Sequence, residues 1–129
     1  LGYRHSIVME ENYIVLDGVL SLKKGDKDEI KAKMDDFSQR RREKQPLEYP
    51  SAGSTFKRPE GYFAGKLIMD SGLAGKTVGG AQVSEKHCGF VINKGGATAT
   101  DILELMDIVT DTVYDKYGVK LEPEVKILG

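Results

Sequence analysis

The chain opens with two runs dominated by β-branched and aromatic residues, Y-R-H-S-I-V-M at 3–9 and N-Y-I-V-L-D-G-V-L-S-L at 12–22, with Glu10, Glu11 and Asn12 between their apolar parts. Such runs predict two strands, and the polar break between them predicts a hairpin. Gly25 ends this pattern. Asp26 and Glu29 then form a capping box for a helix whose apolar positions Ile30, Met34 and Phe37 follow i, i+4, i+7 and which should run to about Glu43. Pro46, Pro50 and Pro59 erase the periodicity from Gln45 to Pro59, predicting a loop and a subdomain boundary. Helical spacing returns at Ala64, Leu67, Ile68 and Leu73, ending on Gly72 or Gly75, and strands follow at Val78 to Ser84 and Gly89 to Asn93. Thr98 and Asp101 give a second capping box. The apolar face Ile102, Leu105, Met106, Val109, Val113 and Tyr117 makes this the best-marked helix, with Gly118 as its C′ residue. The last residues, V-K-L-E-P-E-V-K-I-L-G, read as an extended strand that Pro123 confines to an edge or a bulge. The sequence carries no internal repeat.

At 129 residues and 14.2 kDa the chain lies in the single-domain range, enough to bury about two-thirds of its unfolded surface. With 40% hydrophobic and 30% charged residues and a net charge of −1, it reads as a globular protein and neither a disordered tail nor a nucleic-acid binder. The single cysteine, Cys88, allows no intramolecular disulfide and points to a reducing, cytoplasmic setting. No apolar run reaches the roughly 18 residues of a membrane span, so no membrane partner is expected. The chain starts at Leu1 without a Met and enters a strand-like segment directly, as expected of a piece cut from a longer protein.

Several segments have two readings. Q-R-R-R-E-K at 39–44 is a candidate phosphate patch, but acids at 28 and 29 and cations at 40–42 also match the helix dipole, which favours a solvated helix end. N-K-G-G-A-T at 93–98 sets two glycines before a helix N-terminus, where free N–H groups can hold phosphate. It lacks the Lys-Ser/Thr of a P-loop, which favours an ordinary turn. His5, His87 and Cys88 have no metal-ligand spacing. Glu122 and Glu124 flank Pro123, where alternation should point both to one face. Ser54, in Y-P-S-A-G-S-T-F-K-R-P at 49–59, is not on a hydrolase elbow, though its hydroxyl could protonate a carbanion-like centre if Lys57 or Arg58 steadied the alkoxide left behind.

G-Y-R-H-S at 2–6, K-Q-P at 44–46, P-S-A-G-S-T-F-K-R-P at 50–59, A-G-K-L-I at 64–68, G-G-A-Q-V-S at 79–84, F-V-I-N at 90–93 and L-E-P-E-V at 121–125 are individually weak. In this order and spacing they resemble the C-terminal part of the UDP-N-acetylenolpyruvoylglucosamine reductases, over essentially the whole chain. The resemblance implies that residues 1–44 are the tail of a PCMH-type FAD-binding domain and residues 45–129 a small α+β substrate-binding domain with a returning terminal strand. It implies FAD as cofactor, NADPH as reductant and UDP-N-acetylglucosamine enolpyruvate as substrate. Ser54 then matches the proton donor, and Arg4 and Glu124 match the pair that polarises the substrate carboxylate. Such a pair meets the negative charge that hydride addition builds there. Lys44 matches a position associated with the anionic groups of substrate or NADPH. Tyr3, Arg58 and His87 match substrate-side contacts, and Arg4 and Gly53 lie at the flavin.

No tyrosine-bearing insertion follows the first segment, as in the shorter branch of the family. Ala74 stands where some members carry lysine, and the glycine-rich flavin pyrophosphate loop is absent. The resemblance therefore implies that the 129 residues alone bind FAD poorly and turn nothing over. A reading from a different class is a non-catalytic module that uses the same loops to bind a nucleotide sugar or a partner protein.

Overall fold

In the computed structural model, Gly2 and residues 5–127 are described. The chain divides into two compact units, one up to Met34 and one from Asp35 onward.

In the first unit, residues 7–10 form a single helical turn, α1 (Ile7–Glu10), and Asn12 takes a left-handed backbone with φ of 51°. Residues 13–25 adopt no regular element, so the expected hairpin is overturned at both of its strands. Among the described residues nothing covers these runs: Leu16 and Val19 are 92% and 96% exposed, and Ile14, Leu20 and Leu22 are similarly bare. A two-stranded hairpin is marginal in water unless a third strand or a helix buries one face. High β propensity describes a side chain that suits a half-buried pleated surface, and here that surface is missing.

The division falls within α2 (Lys27–Lys44). The Asp26 carboxylate accepts from the N–H groups of Asp28 and Glu29, both at 3.0 Å, and so caps the first turn as the sequence predicts. Ile30, Met34 and Phe37 keep the predicted spacing but are exposed. Arg40 pairs with Asp36 at 2.9 Å, and Gln39 donates to Glu43. The basic run is thus a solvated helix end, with Asp28 and Glu29 in the first turn and Arg41, Arg42 and Lys44 in the last.

The second unit holds the core. Its three-stranded antiparallel sheet has the order β1 (Thr77–Val78), β2 (Ala81–Val83), β3 (Val91–Asn93), with Val78 opposite Ala81 and Gln82 opposite Ile92. The expected single strand from Val78 to Ser84 is two strands, because Gly79 and Gly80 make a two-residue hairpin turn. Against the sheet lies α4 (Ala99–Tyr117), with α3 (Ala64–Asp70) packed on α4. Leu105, Val109 and Val113 of α4 are fully buried with Ile68 of α3 and Ala81 of β2. Each of the four larger side chains contributes about 1.5–3 kcal/mol. Tyr117, expected on the same face, is 41% exposed at the helix end.

Both ends of α4 are formed as predicted. Thr98 Oγ1 accepts from Asp101 N at 3.1 Å and Asp101 Oδ2 accepts from Thr98 N at 2.9 Å, a complete capping box. Gly118, at φ of 66°, donates its N–H to Tyr114 O. Asp101 also accepts from Gly80 N, and these N–H donors, that of Thr98 foremost, hold its carboxyl below the usual carboxylate range. In the 93–98 loop, Asn93 Oδ1 accepts from Gly95 N and Ala97 N, so this segment is a turn feeding the N-cap.

The close approach of the β1–β2 turn to that loop requires Gly80. A Cβ there would overlap Gly95 O and Ala97 N, both backbone atoms that cannot swing aside. We expect Gly80→Ala to lower stability by about 1–3 kcal/mol, read as a fall in the urea midpoint of the α4 and sheet signal. Gly18→Ala, where a Cβ meets nothing within 4 Å, is the control that should leave it in place. An unchanged midpoint in Gly80→Ala would mean that the turn and the loop do not meet in this way.

Candidate active site

Residues 50–57 run as an irregular strand between β3 and the chain's last extended segment. On the β3 side, Asn93 N donates to Pro50 O at 2.8 Å, Ser51 bridges to Ile92, and Thr55 N donates to Gly89 O at 2.9 Å. Thr55 Oγ1 also accepts from Val91 N at 2.9 Å. On the other side, Lys57 N donates to Glu122 O and Glu124 N to Thr55 O, both at 2.8 Å, around a bridge between Phe56 and Pro123. Pro123 stands where the pairing asks for no N–H, which is how proline enters a strand at all. The extended tail predicted from the sequence is therefore paired, with Leu121 buried beside it.

Between the anchors at Ser51 and Thr55, residues 52–54 turn outward. Gly53 has φ of 87° and a Cβ there would meet nothing within 4 Å, so glycine is needed for its backbone and not for space. Ser54 follows it, exposed. Glu124 lies across the pairing from Thr55, one residue away from Ser54. It is half-buried, with Oε2 shielded from solvent. A largely apolar cleft of about 390 Å³ adjoins this loop, walled by Pro50–Ala52, Val91, Ile102, Met106 and Val125.

The two cations after Ser54 are each engaged. Lys57 Nζ pairs with Glu122 at 3.0 Å and draws that carboxyl below the usual carboxylate range. Both side chains are at least half exposed, so the pair adds little stability. Arg58 lies 4.0 Å above the Phe63 ring and donates Nε–H to Tyr62 O at 3.2 Å. Glu122 and Glu124, expected on one face, therefore differ in environment: one is an exposed ion-pair partner, the other is partly covered.

His87 lies on the β2–β3 connection, which Ser84 closes by donating its N–H to Phe90 O. Its Nδ1 accepts from Gly89 N at 3.1 Å and its ring meets Phe90 edge to face at 5.0 Å. Nδ1 as acceptor places the proton of the neutral ring on Nε2. Cys88 is buried, and burial pushes its thiol up, away from reactivity. Among the described residues no three His, Cys, Asp or Glu side chains converge on a metal site.

Residues 45–128 match the family model described as "UDP-N-acetylenolpyruvoylglucosamine reductase, C-terminal domain". The chain belongs to this family. It is 66% identical over 129 residues to the UDP-N-acetylenolpyruvoylglucosamine reductase of Agathobacter rectalis, covering all of this chain and 41% of that protein. With the reductase of Lachnoclostridium phytofermentans it shares 61%, again over the whole chain and 42% of the relative. The chain thus spans about two-fifths of the length of these curated relatives. The crystal structure of the reductase from Thermus caldophilus superposes with a TM-score of 0.69 at 39% identity, covering 82% of this chain and 37% of that one.

Of the positions that the family resemblance singles out, Gly53 and Ser54 lie on the 50–57 segment and Glu124 on the segment paired with it, its N–H donating to Thr55 O. Lys44 is the exposed last residue of α2, and Arg58 and His87 stand on separate connections. Tyr3 and Arg4 lie outside the described residues. Thr55, which bonds both neighbours of the loop, lies inside the 50–59 motif, but nothing in the sequence marks its role as the junction. Gly65, inside the 64–68 motif, is likewise unmarked for its role: a Cβ there would sit 3.2 Å from His87 Cε1 and from Gly89 N. We expect Gly65→Ala to push the imidazole off Gly89. At a pH where the ring is neutral, long-range ¹H–¹⁵N correlation should then change from a pure Nε2–H pattern to a tautomer mixture. An unaltered pattern would mean that Gly65 does not hold the ring.

Proposed function

We propose that this chain is the substrate-side part of a cytoplasmic flavin oxidoreductase of peptidoglycan synthesis, which reduces UDP-N-acetylglucosamine enolpyruvate to UDP-N-acetylmuramic acid. Residues 1–44 would end a PCMH-type FAD domain and residues 45–129 form the substrate domain. The observation that carries this reading is the stitching that brings Ser54 and Glu124 to neighbouring positions on paired segments, within a chain that belongs to the reductase family.

Bound FAD, once reduced by NADPH, would supply hydride for C3 of the enolpyruvyl group. The residues of this chain do the rest. Ser54 is exposed at the tip of a bulge, where its hydroxyl can reach C2 and deliver the proton that completes the saturated product. The serine oxygen then regains a proton from solvent. Glu124 would act as a protonated acid that, with the cation Arg4, donates to the substrate carboxylate, on which negative charge builds as hydride arrives. Lys44, Arg58, His87 and Tyr3 bind the rest of the substrate, with Lys44 toward its anionic groups or those of NADPH.

For FAD itself the residues present fit one edge only. Open space over Gly53 admits a flat ring system close to the backbone. The glycine pair at 95–96 is no phosphate cradle, because Gly95 N and Ala97 N already donate to Asn93. The 129-residue chain by itself should therefore lose flavin on gel filtration and show no turnover. A stoichiometric yellow fraction would refute this.

In the complete enzyme carrying these residues, Ser54→Ala should leave NADPH-driven bleaching of the flavin within about twofold of wild type. Reoxidation by the enolpyruvyl substrate should slow by roughly 10²-fold or more, the scale of a lost general acid. Stopped-flow absorbance separates the two half-reactions. Wild-type reoxidation in the variant removes Ser54 from the proton-donor role.

A further inference from the structure

The ammonium of Lys86 ties together two elements that the reading above places at the substrate. Lys86 precedes His87 on the β2–β3 connection, and its Nζ donates to Arg42 O at 2.7 Å and to Glu48 Oε2 at 3.3 Å. Arg42 O is one of the last carbonyls of α2, which no helical N–H can satisfy, and it lies two residues before Lys44. A cation there also meets the negative end of the helix dipole.

The turn beyond α2 is compact around the same point. Gln45 N donates to Arg41 O, Leu47 N to Gln45 O and Tyr49 N to Pro46 O, with Pro46 buried. Lys94 sits 4.4 Å above the Tyr49 ring. Glu48 is held below the usual carboxylate range, first by its own backbone N–H and then by Lys86, so it stays ionised at neutral pH. Two acceptors from the α2 end thus converge on one ammonium from the β2–β3 connection. The side chain of Lys86 is 34% exposed and is not among the core residues, and a single surface pair adds little to stability.

We propose that Lys86 is a positioning residue that fixes the α2 end, and with it Lys44, relative to His87, so that the two meet one anionic substrate together. This rests on the assignment of Lys44 and His87 to substrate binding. Lysine suits the task because its point charge can serve a carbonyl and a carboxylate at once. When the charge is lost, the last turn of α2 is released and Lys44 samples positions away from its ligand.

The test uses the complete enzyme with Lys86→Met, which keeps the length and removes the donor, and Lys86→Arg, which can still donate to both acceptors. Lys86→Met should raise KM for the enolpyruvyl substrate or for NADPH roughly three- to tenfold, with kcat within about twofold, and Lys86→Arg should recover most of the loss. In a Lys44→Met background, adding Lys86→Met should change little, because its effect passes through Lys44. Unchanged KM values in Lys86→Met, or a fully additive double variant, would overturn the proposal. If the wild-type enzyme shows no such reduction, the functional reading fails. Amide hydrogen exchange over residues 43–49 then tests the clasp without substrate: faster exchange in Lys86→Met supports it, and no change refutes it.

Discussion

The geometry around Ser54 depends on the pairing of residues 50–57 between β3 and residues 122–124. Thr55 is its junction. Its N–H, carbonyl and hydroxyl each bond a different backbone group, on Gly89, Glu124 and Val91. A loop rich in small residues and prolines would otherwise have few ways to hold one shape. With both flanks bonded, three residues can be turned outward without loosening the rest. The strain of a left-handed backbone at Gly53 is avoided because no side chain is present there. Such a site is a bulge on a sheet, and bulges re-aim side chains at sheet margins.

The sheet that anchors the loop is itself held by α4. The helix buries Leu105, Met106, Val109 and Val113 against it, while Asp101 ties the helix N-terminus to the β1–β2 turn through Gly80 N. One carboxylate therefore serves as capping-box partner and inter-element strut. The cap and the hairpin should form together, because each supplies a bond the other lacks. The Gly80 approach adds a steric condition that only glycine meets, so the turn, the 93–97 loop and the helix start are specified as one unit.

What the sequence disclosed follows from which signals are local. Helix ends were legible because Asp26, Thr98, Asp101 and Gly118 act within four residues of themselves. The α4 stripe was legible because four of its apolar positions, Leu105, Met106, Val109 and Val113, are buried. The single strand expected over Val78–Ser84 gives way to two because the Gly79–Gly80 pair inside it, a strong hairpin signal, turns the chain. The first hairpin failed for the opposite reason: its residues favour strands, yet strands need a surface to cover that no local pattern supplies. The family motifs mark Ser54 and Glu124, but the pairing of the segments that carry them rests on hydrogen bonds between residues nearly seventy positions apart. Thr55 and Lys86 act through such bonds and leave no periodic trace.

Electrostatics separates the two cations that follow Ser54, the proposed proton donor. Lys57 is the nearest in sequence, yet its charge is spent on Glu122, and an exposed pair of this kind leaves little net field. Arg58 is held differently. Stacking on Phe63 and a single Nε–H bond to a neutral carbonyl fix the guanidinium plane without neutralising it. A planar cation held by an aromatic face keeps its charge and most of its donor fork for a carboxylate or phosphate. Of two adjacent basic residues, the one placed by an aromatic ring is thus the better electrostatic partner for the proposed anionic substrate, while the charge of the one paired with a carboxylate is largely offset and the register beside it is held by the backbone bond from Lys57 N to Glu122 O.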